Sequence, residues 1–198
     1  MTSAQDRPVR IRLAQDPAAD DLLSRDPFAL LAGMLLDQQV AMEKAFAGPR
    51  LIADRLGLAT LDPAVVAAAD PDEFAALMTG PPAVHRYPTS MGGRVQALAQ
   101  AVIDQYDGDT SALWADAKTG AELYRRLTAL PGFGAQKAKI FVALLGKQLG
   151  VRPTGWKSAA GDYGLVGFRS VADVVDENSL VKVRETKRAA KAKAKAGA

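Results

Sequence analysis

The segment Leu130-Pro131-Gly132-Phe133-Gly134-Ala135-Gln136-Lys137-Ala138 decides how the chain is read. It joins two amphipathic stretches through a Pro-Gly turn and carries two glycines one residue apart. Upstream, residues 119–129 have the pattern of a helix. Downstream, Ala138, Phe141, Val142, Leu145 and Leu149 form the buried face of a helix expected over 135–149. Glycine tolerates positive φ and leaves no side chain in the way. The N–H groups of the turn and of the next helix's first turn can therefore face an anion. The helix dipole favours negative charge there, and Lys137 and Lys139 add direct charge. The pattern predicts a grip on a phosphate backbone that fixes position without reading base sequence. An ordinary helical hairpin ended by a glycine cap is the competing reading.

The charge around this segment is uneven. The whole chain of 198 residues has a net charge of +3. From Lys182 onward seven lysines and arginines face the single Glu185, which leaves residues 1–181 at net −3. A pI near 9.2 therefore says little about the body by itself. Between Glu122 and Asp162, however, there is no acidic residue, whereas Arg125, Arg126, Lys137, Lys139, Lys147, Arg152 and Lys157 are basic. The hairpin lies in that positive stretch.

Helix starts are legible elsewhere. Asp16-Pro17, Asp26-Pro27, Asp62-Pro63 and Asp70-Pro71 each set an N-cap carboxylate before a proline suited to the first helical position. Asp70 with Glu73 has the spacing of a capping box. One helix from Pro27 carries Phe28, Leu31, Leu35, Met42 and Phe46 near one face, interrupted by Gln38 and Gln39. Further helices are expected over about 70–79, 94–106 and from Asp176, with loops over 81–93 and 150–170. Val9-Arg10-Ile11-Arg12-Leu13 alternates apolar and basic residues, the period of a short strand or an ordered arm. The fold class expected is all-α, with an N-terminal arm (1–26), a helical body (27–175), and a C-terminal helix with a Lys/Ala tail (176–198). That tail is either helical or disordered, and either a solvated extension or a non-specific DNA contact.

Composition restricts the chemistry. With no cysteine and one histidine, disulfides, thiolate zinc sites, iron-sulfur clusters and histidine-rich metal sites are set aside, and no cofactor or metal is expected. No run approaches the ~20 apolar residues of a membrane span, and the N-terminus lacks a signal pattern. A cytoplasmic, nucleoid-associated monomer without a membrane partner is the expectation.

Beyond the hairpin the sequence resembles the helix-hairpin-helix base-excision DNA glycosylases related to endonuclease III and the alkylated-base glycosylases, in an actinobacterial-type branch without an iron-sulfur cluster. Leu35-Leu36-Asp37-Gln38-Gln39-Val40-Ala41 looks like the early helix whose glutamine lies at the base-binding cleft. Gly93-Arg94-Val95-Gln96-Ala97-Leu98 resembles the helix before the hairpin region, so the likeness covers residues 27–157. It implies a two-lobed helical fold whose cleft receives a nucleotide flipped out of duplex DNA, because a stacked base hides its glycosidic bond.

At two positions that do chemistry in that family, this sequence departs. A lysine two residues after the second hairpin glycine forms a Schiff base in the strand-nicking members; here it is Gln136, with Lys137 about 100° further round the helix. A monofunctional glycosylase without lyase activity is therefore expected. The family aspartate falls near Thr154-Gly155-Trp156, where nothing is acidic. An oxocarbenium-like transition state needs a carboxylate close by, which leaves Asp162, in Gly161-Asp162-Tyr163-Gly164, and Asp37 and Glu43 as candidates.

The candidate catalytic residues are thus Asp162, Asp37 and Gln136. Gln38, Gln39, Glu43, His85, Tyr87 and Trp156 are candidates for substrate binding, with Phe168 a further aromatic. Gly132, Phe133, Gly134, Gln136, Lys137 and Lys139 are the expected contacts to double-stranded DNA containing a damaged base. Two other readings compete: a non-catalytic DNA-binding protein that lost the aspartate, and a helical scaffold unrelated to DNA.

Overall fold

A computed structural model describes residues 10–196, with side chains described to Lys193. They form α1 (Pro17–Arg25), α2 (Pro27–Leu36), α3 (Met42–Arg55), α4 (Pro63–Ala68), α5 (Pro71–Thr79), α6 (Pro88–Tyr106), α7 (Ala112–Ala115), α8 (Gly120–Thr128), α9 (Ala135–Gln148), α10 (Trp156–Ala160) and α11 (Glu177–Ala196). Short 3₁₀ turns cover Gly161–Gly164 and Val171–Asp173. Among the described residues there is no strand, only a single bridge between Thr119 and Thr154. The protein is all-helical.

The four Asp-Pro pairs do start helices. Asp16, Asp26, Asp62 and Asp70 each accept a hydrogen bond from a first-turn N–H, and the following proline sits where no N–H is needed. Asp70 accepts from the N–H groups of both Asp72 and Glu73. Thr119 caps α8 in the same way, accepting from Glu122.

Residues 10–15 are not a strand, and Val9 lies outside the described residues. The Ile11 N–H donates to Ser24 Oγ at 2.9 Å and the Ala14 N–H to Asp20 Oδ1 at 2.8 Å. With these two backbone donors satisfied by α1, the segment is held without a partner strand. The apolar alternation survives as burial, since Ile11 and Leu13 are in the core. Within the expected arm (1–26), the described residues 10–26 are more than an arm, because α1 packs on α2 and α3.

Two helices organise the core. In α2 every residue from Phe28 to Leu36 is buried, so the helix is apolar all round, as a central helix must be. Around it stand α1, α3 and α6, with α4 and α5 against α6. In α9 the run from Phe141 to Gly146 is buried, and α8, α10 and the 3₁₀ turns pack on it. Both groups share one continuous apolar core. Rings of Trp114, Phe133 and Phe141 lie 6.0 Å apart pairwise around Phe141, a spacing at which aromatic pairs attract.

Three expected boundaries move. The helix expected from Pro27 through Phe46 is two, α2 and α3, parted by a loop at 37–41. The loop expected over 81–93 ends at Tyr87, because Pro88 starts α6. The loop expected over 150–170 contains α10 and a 3₁₀ turn. The C-terminal segment is helical to Ala196. No helix among the described residues is long and apolar enough to cross a membrane.

Candidate active site

The hairpin turn separates the roles of its glycines. Gly132 has φ +79°, and a Cβ there would collide with Leu35 Cδ1, so this position needs glycine for both backbone and space. Gly134 has an ordinary φ of −72°, and a Cβ there would meet nothing within 4 Å. It is the N-cap of α9, yet no side chain caps the helix. The Ala138 N–H makes the first helical bond, to the Gly134 carbonyl at 3.0 Å. The preceding N–H groups of the first turn point out at an open, exposed site. That arrangement suits an anion.

Two expected hairpin contacts turn inward. Phe133 is 3% exposed, edge-on to Phe141, and its N–H donates to the Leu130 carbonyl at 3.2 Å. It holds the turn and offers no donor to DNA. Lys137 donates through Nζ to the carbonyls of Met34 at 2.7 Å and Leu35 at 2.8 Å. Those are the open carbonyls at the end of α2, where a cation is favoured. Burial pushes the Lys137 pKa down to about 8, with the Asp37 carboxylate pulling it up. Lys139 is exposed, as a phosphate contact requires.

Beside the start of α9 lies a cleft of about 870 Å³. Its walls come from distant segments: Asp37, Gln38 and Gln39 after α2, Gln136, Lys137 and Lys139 on α9, Asp162 and Tyr163 after α10, then Arg169, and Lys187 on α11. Seven of these were singled out from sequence. Tyr163, Arg169 and Lys187 were not, and of them only Tyr163 had a local signal, its place beside Asp162. Gln136 Nε2 donates to Tyr163 Oη at 2.9 Å, which closes one wall.

The two glutamines of the cleft loop have opposite tasks. Gln38 is a latch. Its amide donates to the Leu35 carbonyl at 3.0 Å and lies 3.4 Å from Met91 Sδ, its Oε1 accepts from Arg94, and its carbonyl accepts from His85. It is not a free amide for a base. Gln39 makes no side-chain hydrogen bond among the described residues: it is exposed, lines the cleft, and stands at φ +56°, a conformation costly for a residue with a Cβ.

His85 is a strut, not a ligand for base or phosphate. It is 1% exposed. Its Nδ1 accepts from the Tyr87 N–H at 3.0 Å, so Nε2 carries the proton donated to the Gln38 carbonyl at 2.9 Å. Burial lowers its pKa, which keeps this neutral tautomer. Tyr87 is exposed beneath the Arg86 guanidinium, 5.4 Å from the ring centre, and does not line the cleft.

The carboxylates also separate. Asp37 stands at the C-terminal end of α2 and lines the cleft, and no hydrogen bond to its carboxylate is formed among the described residues. Burial raises its pKa, while Lys187 and Lys137 pull it back down. Asp162 lines the same cleft but is exposed. Glu43 is elsewhere: it pairs with Arg184 of α11, and its other oxygen, Oε2, is buried without a partner. It fastens the C-terminal helix instead of facing a substrate.

Trp156 is likewise structural. A Cβ at Gly146 would collide with its ring, and one at Gly120 would sit 2.7 Å from its backbone nitrogen. The tryptophan therefore fills a slot between α8 and α9 that only glycines leave open. Thr154 is held in the bridge to Thr119. Thr154 is exposed, but neither it nor Trp156 lines the cleft, so the segment where the resemblance would put an aspartate faces elsewhere. Phe168 lies beneath Lys182, whose Nζ is 4.8 Å from its ring centre.

No protein-family model, curated protein or solved structure matches the chain. The cleft must be interpreted from its own chemistry. It offers a free carboxylate, free or loosely held amides and several cations, beside an uncapped helix start. Among the described residues no group of three or more metal-ligating side chains is gathered.

Proposed function

We propose that this protein is a monofunctional DNA glycosylase, built on a two-lobed helix-hairpin-helix frame, that removes a deaminated or alkylated base. The observation that carries the reading is that one cleft holds the Asp37 carboxylate and the Gln39 amide directly beside the open N-terminus of α9. A backbone phosphate bound at Gly134 brings a flipped nucleotide to the mouth of that cleft. As the bond from C1′ to the base nitrogen breaks, positive charge develops on the sugar. Asp37 is placed to stabilise it and to accept a proton from the water whose oxygen bonds to C1′; the departing base nitrogen keeps the bonding electron pair and takes a proton from solvent, and Asp37 then releases its own to solvent.

Asp37 replaces Asp162 as the preferred carboxylate. Its half-buried setting weakens screening, so its charge acts more strongly than that of an exposed loop aspartate. Lys137 and Lys187 favour its ionised form. The absence of lyase chemistry follows from Gln136 at the nucleophile position, with the neighbouring Lys137 amine committed to two carbonyls. The test is a set of duplexes bearing one uracil, hypoxanthine or alkylpurine, treated with protein and then hot alkali. Cleavage only after alkali is the expected result, and an intact strand across the panel rejects the enzyme reading.

One observation favours a second reading, a non-catalytic DNA-binding protein: where the resembled family has its aspartate, Trp156 fills a structural slot and neither it nor Thr154 lines the cleft. That protein would bind duplex through the same hairpin and excise nothing.

A further inference from the structure

The cleft has a wall that the hairpin does not supply. The helix α11 begins as part of the body, with Leu180 and Val183 3% and 0% exposed, and Arg184 closing onto Glu43 of α3. Lys182 packs over Phe168 beside it. Beyond Arg184 the burial stops. Every described side chain from Glu185 to Lys193 is exposed, although Thr186, Lys187 and Ala190 edge the cleft. The helix thus leaves the body at the cleft mouth and continues into solvent.

Its composition makes that course unusual. Residues 185–193 hold Lys187, Arg188, Lys191 and Lys193 against one acid, Glu185, and the only apolar side chains are alanines. Alanine and lysine favour helix, but a helix with no packed face has only that propensity to hold it. Side chains four apart stack on one face, so Arg184 with Arg188, and Lys187 with Lys191, form like-charge pairs that repel. Among the described residues these cations form no ion pair beyond that of Arg184. A row of positive charge that starts beside Asp37 at the cleft, and beyond Lys187 meets no acidic partner among the described residues, is complementary to a polyanion that enters the cleft.

We infer that α11 beyond Arg184 lies along the sugar-phosphate backbone of duplex DNA leading into the cleft, a second sequence-independent contact besides the hairpin. This rests on the reading of the cleft as a DNA site. It assigns the basic tail a fixed place in the complex: Lys187 is the link between the cleft interior and the duplex, and Arg188, Lys191 and Lys193 extend the contact outward. Because the contacts are ionic, they contribute affinity and salt dependence without base preference.

The full chain tested with a fluorescent, lesion-free duplex, by anisotropy across a salt series, reads this directly. The variant carries Arg188→Gln, Lys191→Gln and Lys193→Gln together, which keeps helix-forming residues and leaves Lys187 in the cleft. The expected result is binding at least about tenfold weaker at low salt. The slope of log affinity against log salt becomes shallower by about 0.9 for each phosphate that is no longer neutralised. Circular dichroism unchanged from the parent rules out loss of the fold as the cause. Wild-type affinity and slope in the triple variant overturn the inference, and so does tighter binding, which would mean that the helix covers the cleft. Tighter binding by the parent to single-stranded RNA of equal length overturns the partner assigned. A Gly134→Asp chain in the same assay keeps the two readings apart. If it weakens binding while the triple variant does not, the hairpin reading stands and the helix reading falls; if the parent binds no duplex, both fall.

Discussion

The Lys137 ammonium donates to the Leu35 carbonyl at 2.8 Å, so the helix that follows the hairpin holds the end of the helix that precedes Asp37. One side chain ties the hairpin to the carboxylate loop. It also places a cation near a carboxylate whose pKa burial has raised. On the proposed function, excision by an ionised Asp37 should be lost as pH falls through that raised pKa. Lys137→Met keeps the apolar stem and removes the charge, so the acid limb of kcat/KM should move further toward neutral pH. The check is a pH–rate profile for parent and variant under single-turnover conditions. An unmoved limb would mean that Lys137 does not set the charge of the catalytic carboxylate. The variant also leaves the Met34 carbonyl without its donor, while the Leu35 carbonyl keeps the Gln38 amide, which should lower stability by about 1–2 kcal/mol in urea unfolding.

The role of Asp37 against Asp162 is separable by substitution. Asp37→Asn should lower the excision rate by about 10²–10³-fold, the scale on which a single preorganised electrostatic contact acts, with duplex binding retained. Asp162→Asn, in an exposed loop, should stay within about threefold of the parent. Single-turnover rates on the preferred lesion decide it. The reverse ranking moves the catalytic carboxylate to the 3₁₀ turn at Gly161–Gly164.

Much of this arrangement is legible in the amino-acid sequence, and what is not legible has physical causes. The Asp-Pro starts depend on local chemistry, so all four hold. The break after Leu36 is hidden because apolar residues continue at helical spacing on both sides of it. What ends α2 is nonlocal: His85, 47 residues away, takes the Gln38 carbonyl, and Gln39 adopts φ +56°. The cleft residues at 37–39, 136–139 and 162 can be named from the hairpin outward. Which of them turn inward cannot. The directions of Lys137 and Gln38 depend on acceptors that only the packing of α9 against α2, and of α6 near the loop, brings within reach. Arg169 carries no local signal, since a lone basic residue in a loop usually faces solvent, and Lys187 is one cation among several in a basic tail, with nothing local to mark it as the one at the cleft.

His85 yields a prediction with a definite sign. Its folded pKa is lowered by burial, so in the window between that value and the ordinary one near 6.5 the unfolded chain binds more protons. Its contribution to stability is complete above that ordinary value and is lost as pH falls through the window. His85→Gln retains a donor but cannot titrate. The stability difference between parent and variant, from urea unfolding at several pH values, should shrink as pH drops from about 7.5 to about 5. A difference independent of pH would show that the ring is not buried neutral. At the upper end of that range the variant should be less stable by about 1–3 kcal/mol, if its amide fails to reach the Gln38 carbonyl and leaves it unpaired.

The two hairpin glycines should respond in opposite directions, and that contrast tests the phosphate grip most sharply. Gly132 combines φ +79° with a close approach to Leu35, so Gly132→Ala forces a strained backbone and displaces a core leucine. A loss of about 1–3 kcal/mol in stability is expected, and weaker DNA binding would then report only a damaged turn. Gly134 has room for a side chain and an ordinary φ, at an N-cap that lacks a capping side chain. Aspartate is among the best N-cap residues, so Gly134→Asp should leave stability unchanged or raise it by up to about 1 kcal/mol. Its carboxylate would also occupy the seat of the phosphate and repel the DNA strand. Affinity for duplex should fall by about tenfold or more, which corresponds to about 1.4 kcal/mol. Thermal unfolding and anisotropy on the same preparation measure both. An aspartate variant that is at least as stable as the parent and binds duplex equally well would show that the N-terminus of α9 holds no phosphate.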